Sequence, residues 1–69
     1  MEFSLNGKEF IELNKLLKLL GLVGTGGEAG QRILDGDATL NNLRVTEKRK
    51  KIRAGDVLRF AGKEIRVLA

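Results

Sequence analysis

The 69-residue chain contains no Cys, His, Pro, Trp or Tyr. Without Cys there are no disulfides and no thiolate metal sites. Without His the usual zinc ligand and the usual general base are missing. Ser4, Thr25, Thr39 and Thr46 therefore have no imidazole to activate them as nucleophiles. Asp35 and Asp37 flank Gly36 but offer too few oxygens for a calcium loop. No enzyme activity, metal or cofactor is expected. The longest apolar stretch, residues 13–23, is interrupted by Lys15 and Lys18 and falls short of the roughly 20 residues that span a bilayer. Met1-Glu2-Phe3-Ser4 lacks the basic and apolar blocks of a secretory signal. The expectation is one soluble cytoplasmic domain over residues 1–69, monomeric and away from membranes, in the size class that buries only about 60% of its unfolded surface.

What the chain does have is positive charge, unevenly placed. The net charge is +4. Residues 1–43 carry four basic and six acidic side chains, a net of −2, whereas residues 44–69 carry nine basic and three acidic, a net of +6. Between Arg44 and Arg53 six cations surround the single acid Glu47, and Lys48-Arg49-Lys50-Lys51 is an unbroken basic run. Like charges at this density repel one another within a small domain, so such a cluster points to a polyanionic partner.

Periodicity divides the chain into short elements. Phe3 and Leu5 alternate with polar residues before Asn6-Gly7, which predicts a hairpin over residues 2–11 closed by a type I′ turn. Leu13, Leu16, Leu17 and Leu20 then fall at helical spacing and predict a first helix from Glu12 to Leu20, stopped by Gly21 with Leu22 beyond it. Thr25 and Glu28 read as a capping box, opening a second helix from Gly26 to Asp35 that buries Ala29, Ile33 and Leu34 and ends at Gly36. Gly30 is the weak point of that helix.

Beyond Gly36 the period becomes two. Residues 38–40 and 43–45 predict a hairpin about Asn41-Asn42. Thr46 to Lys51 reads as a charged loop, and 57–60 and 64–68 read as strands joined through Ala61-Gly62-Lys63. The expected fold is α+β: two packed helices with a small, mostly antiparallel sheet. Phe3, Phe10 and Phe60 are expected in the core, because little else in the chain is large enough to fill one.

Gly24-Thr25-Gly26-Gly27-Glu28-Ala29 matches G-x-G-x-x-G/A literally. A helix rather than a strand precedes it, and no βαβ unit surrounds it, so the dinucleotide reading fails. The same stretch resembles the GxxG clamp of KH domains but has no basic residue, and strands follow where that fold requires another helix.

Taken in order, residues 13–22 (LNKLLKLLGL), 26–29 (GGEA), 35–42 (DGDATLNN) and 48–57 (KRKKIRAGDV) resemble the alpha-L RNA-binding domain named for small-subunit ribosomal protein S4. The similarity is greatest to its short free-standing bacterial members. It implies that the helices and the hairpin after them form one face that docks on structured RNA, such as ribosomal or transfer RNA. It further implies that helix 2 and the stretch after the hairpin supply cations. On this sequence those positions are Gln31 and Arg32 on helix 2 and the run Lys48, Arg49, Lys50 and Lys51. Lys18 and Arg53 join them as further candidates, with Arg44 flanking. Two positions depart from the pattern: Asn42 stands where the turn usually has Gly, and Gly30 where a cation commonly follows Glu-Ala. A reading from another class is a protein-interaction module with a ubiquitin-like sheet surface. Its carrier chemistry would need a terminal Gly-Gly, and residues 66–69 are Arg-Val-Leu-Ala.

Overall fold

A computed structural model describes residues 1–69. Along the chain lie β1 (Glu2–Ser4), β2 (Ile11–Glu12), α1 (Leu13–Leu19), α2 (Gly26–Leu34), β3 (Ala38–Leu40), β4 (Leu43–Arg44), β5 (Lys51–Ile52), β6 (Val57–Phe60) and β7 (Lys63–Leu68). Five strands form one sheet in the order β1-β7-β6-β3-β4, and β2 pairs with β5 in a separate ribbon. All pairs are antiparallel except β1 with β7. The fold is α+β, as the periodicity implies, and no helix is long and apolar enough to cross a membrane.

Each helix ends where its sequence says. In α1 the Gly21 N–H donates to Lys18 C=O and the Leu22 N–H to Leu17 C=O, both at 3.0 Å. This is a Schellman motif, made possible by Gly21 at φ +72°. Helix α2 closes the same way through Gly36 and Asp37, which donate to Ile33 and Arg32 carbonyls at 3.1 Å. At its start Thr25 Oγ1 accepts from the Glu28 N–H at 3.0 Å. The Glu28 carboxylate reaches back to the Gly24 N–H at 2.9 Å, one residue before the cap itself.

Fifteen buried residues, all apolar, make the core. Leu13, Leu16 and Leu17 of α1 and Ala29 and Ile33 of α2 meet the inward side chains Ala38, Leu58, Phe60, Ile65 and Val67 of the sheet. Leu34 is not among them: it is 62% exposed. At 100° per residue it lies well off the stripe that carries Ala29 and Ile33.

The N-terminal hairpin does not form. Asn6 and Gly7 adopt φ values of 54° and 85°, and Lys8 N–H closes the turn on Leu5 C=O at 3.1 Å. The turn is therefore as expected, but the strand partners are not. β1 pairs parallel with β7, with Phe3 opposite Val67, while Ile11 and Glu12 pair with Ile52 and Lys51. β7 offers a longer partner with an inward row of Ile65 and Val67, whereas Lys8-Glu9 offers none; burial thus overrides the local turn signal. The second hairpin forms as expected. Asn41 and Asn42 both sit at positive φ between β3 and β4. Asn41 also ties that turn to the next: its amide donates to Asp56 Oδ1 at 3.0 Å and its Oδ1 accepts from the Val57 N–H at 2.9 Å.

Candidate nucleic-acid interface

The basic run covers the end of the loop between β4 and β5 and the first residue of β5, and backbone hydrogen bonds fix it against α1. Helix α1 has no side-chain cap; Glu12 holds the N-cap position without a capping bond. The orphaned N–H groups of Leu13 and Asn14 donate instead to the carbonyls of Lys50 and Lys48, each at 2.9 Å. The pairing of β2 with β5 anchors the end of the run, with Glu12 opposite Lys51. On the other side Lys48 lies along α2. A Cβ placed on Gly30 would stand 3.4 Å from Lys48 Cδ. The position that lacks a helix-borne cation is thus the position over which the loop lays one.

Lys48, Arg49, Lys50 and Lys51 are all exposed, and none has a carboxylate within ion-pairing distance. Their stems diverge. Lys48 runs over Gly30, Lys50 lines a groove beside Leu43 and Arg44, and Lys51 Nζ stands 4.9 Å from the centroid of the Phe10 ring. Arg53 joins Lys51 there, its Cζ 5.9 Å from the same centroid. The Arg53 N–H donates to Asp56 Oδ2 at 2.8 Å, so the carboxylate that Asn41 orients also holds the turn after β5. Four unpaired cationic heads on a loop tied to both helices form a surface that attracts polyanions.

The remaining expected residues are differently placed. Arg32 is held by the Asp37 carboxylate and stands 5.0 Å from the centroid of Phe60. The Asp37 hydrogen bond raises its pKa, outweighing partial desolvation. Its charge is thus compensated within the protein. Gln31 is exposed, but its amide donates to Asp35 Oδ1 at 3.0 Å, one helical turn on. Arg44 donates from Nη2 to the Leu34 carbonyl at 2.8 Å, and its guanidinium lies flat against Gly36. It caps the C-terminus of α2. Lys18 lies on α1 in a groove shared with Lys8 and Lys15. Phe10 connects that groove to Lys51.

Two features lay beyond sequence reasoning. Phe10 is half-buried and outside the core cluster, unlike Phe60. Its neighbour Ile11 takes the inward position on an extended segment, so Phe10 projects to the other side. Which of the two neighbours faces inward depends on the pairing of Ile11 with Ile52, a contact between distant residues. The second feature is the division of the C-terminal charge. Arg59 and Arg66 stand on the outer face of the sheet, opposite the buried Leu58, Phe60, Ile65 and Val67, and Arg59 pairs there with Glu64 at 3.4 Å.

Comparison with known proteins agrees with this architecture. Residues 3–68 match the model of a family described as the S4 domain. A protein of Escherichia coli (strain K12), YbcJ, provisionally named as RNA-binding, is 39% identical over 67 residues, covering 97% of this chain and 96% of its own. The solution structure of YbcJ, described as revealing an alpha-L motif involved in RNA binding, superposes with a TM-score of 0.75 at 38% identity, covering 99% of this chain and 86% of that one. The 30S ribosomal protein S4e of Thermoplasma acidophilum shares the fold at 21% identity, with a TM-score of 0.67 over 83% of this chain and 30% of its own.

Proposed function

The chain belongs to the S4 domain family, and from that premise we propose that it binds structured RNA, with Lys48, Arg49, Lys50 and Lys51 supplying most of the affinity through phosphate contacts. One observation carries the reading: the run is pinned to α1 by two backbone hydrogen bonds and laid along α2 at Gly30, yet its charges meet no acid of the protein. Such a loop presents its cations with little ordering cost on binding. Family membership and the relatives described as RNA-binding support RNA as the polyanion. Arg53 extends the surface past Lys51. Lys18 adds to it from α1, and Gln31 and Arg32 border it from α2 with their polar groups already engaged.

Phosphate recognition is sequence-independent and releases counterions. Neutralising about three to five phosphates gives a slope of log K against log salt of roughly −2 to −5. Titration of purified transfer RNA and of ribosomal RNA hairpins at increasing salt measures that slope. The combined change Lys48→Gln, Arg49→Gln, Lys50→Gln and Lys51→Gln removes most of it while the circular dichroism spectrum stays that of the native protein. An affinity insensitive to salt, or undiminished in this variant, overturns the reading.

A further inference from the structure

A groove of about 680 Å³ lies between the N-terminal segment and α1, lined by Phe3, Phe10 and Leu19 on its apolar side and by Lys8, Lys15 and Lys18. Its volume falls within the range of roughly 300–1,000 Å³ typical of clefts that take small ring systems. Glu12 also lines it and pairs with Lys15 at 3.9 Å, but Lys8 and Lys18 have no carboxylate within ion-pairing distance. The groove is therefore both apolar and net positive. Flat apolar surface flanked by unpaired ammonium groups suits a base with its phosphates, because every base has a π-face and every linkage a negative charge.

The groove is continuous with the basic run through one side chain. Phe10 lines the groove, and Lys51 Nζ lies 4.9 Å from its ring centroid. A strand leaving the cations of the run would thus meet Phe10 first and Lys18 or Lys8 beyond it. We infer that this groove holds an unpaired nucleotide, single-stranded RNA that extends from the structured element bound by the Lys48–Lys51 run. The inference rests on the proposed RNA-binding reading and adds a second mode to it: the run grips phosphates of folded RNA, and the groove takes a splayed base against Phe10. Phe10 is suited to this because Ile11, not Phe10, fills the core beside it, which leaves the ring half-exposed.

The test compares three RNA hairpins of identical stem: one blunt, one with a short unpaired adenosine extension, and one whose extension is abasic. At fixed salt the adenosine extension strengthens binding to the native protein by roughly tenfold, the scale of one base–aromatic stack. The abasic extension, which keeps the phosphates, falls short of it. Phe10→Leu abolishes the difference between the adenosine and abasic extensions, each read relative to that variant's own blunt-hairpin affinity, whereas Phe10→Trp retains the difference. Lys8→Gln with Lys18→Gln reduces the gain from both extensions. An amide NMR spectrum checks that each variant is folded. Should Phe10→Leu fail to fold, the abasic comparison on the native protein decides alone. If the blunt hairpin binds and the adenosine extension adds nothing over the abasic one, the groove assignment falls and the proposed function stands. If no hairpin binds, both fall.

Discussion

Two groups of cations lie within a few residues of the β3–β4 hairpin and differ in what they face. Arg32 and Arg44, on α2 and at its C-terminal end, are engaged by the protein: one by Asp37 and the ring of Phe60, the other by the Leu34 carbonyl and the open surface of Gly36. Lys48 to Lys51 are held by their backbone and leave their charges unpaired. The guanidinium fork of Arg32 and Arg44 meets an oriented carboxylate and a carbonyl, whereas the charges of the run, three ammonium groups and the Arg49 guanidinium, meet neither a carboxylate nor a helix end. On the proposed reading the first group serves stability and the second recognition, although each side chain in both carries the same unit charge.

Charge removal separates the two groups most sharply. The fourfold Gln variant of the run is expected to lose about a hundredfold in RNA affinity near 0.1 M salt, with a thermal midpoint close to that of the native protein. A fluorescence-anisotropy titration and a thermal melt read both quantities. Arg44→Gln should behave inversely. Losing a charge-assisted bond to a helix C-terminal carbonyl costs about 1 kcal/mol of stability at an exposed site, read by urea unfolding, at nearly unchanged RNA affinity. Arg32→Gln is expected to lower the thermal midpoint only slightly, since its ion pair with Asp37 is screened by solvent at about one-third exposure, again with RNA affinity within about twofold. A large affinity loss in either arginine variant would erase the distinction.

The smallest effect tests the join between the groups. Gly30→Ala removes a helix-interior glycine and should stabilise by a few tenths to ~1 kcal/mol. Its methyl would meet Lys48 Cδ at 3.4 Å, the far part of a flexible stem that can yield. RNA affinity should therefore change by less than about threefold. A destabilised Gly30→Ala protein would mean that the Lys48 stem packs there more tightly than its chemistry suggests.

Much of the fold is legible in the sequence because it is local. Both helices carry their stop signals at Gly21 and Gly36, and the Asn41-Asn42 turn announces its own hairpin. What is not legible depends on contacts between distant residues. Nothing near Phe3 indicates that its partner is Val67 in a parallel ladder, or that Ile11 will pair with Ile52. The candidate site divides in the same way. The cations of the run are conspicuous as a composition, but that Arg32 would be neutralised by Asp37 depends on how the chain turns after α2. The reading of Gly30 as a defect likewise lacked the Lys48 stem, which comes from a later part of the chain.

The bonds from Leu13 and Asn14 to the carbonyls of Lys50 and Lys48 set a geometric limit on how this loop can diverge. They involve main-chain atoms only, so the exposed side chains of Lys48 and Lys50 can be exchanged without disturbing the start of α1. One inserted residue between Lys48 and Lys50 would put the two acceptors out of step with each other, so that the helix could keep only one. Descendants of this chain are therefore free to exchange the chemistry displayed between Lys48 and Lys50 but not the length of that stretch, so there a change of target must come by substitution.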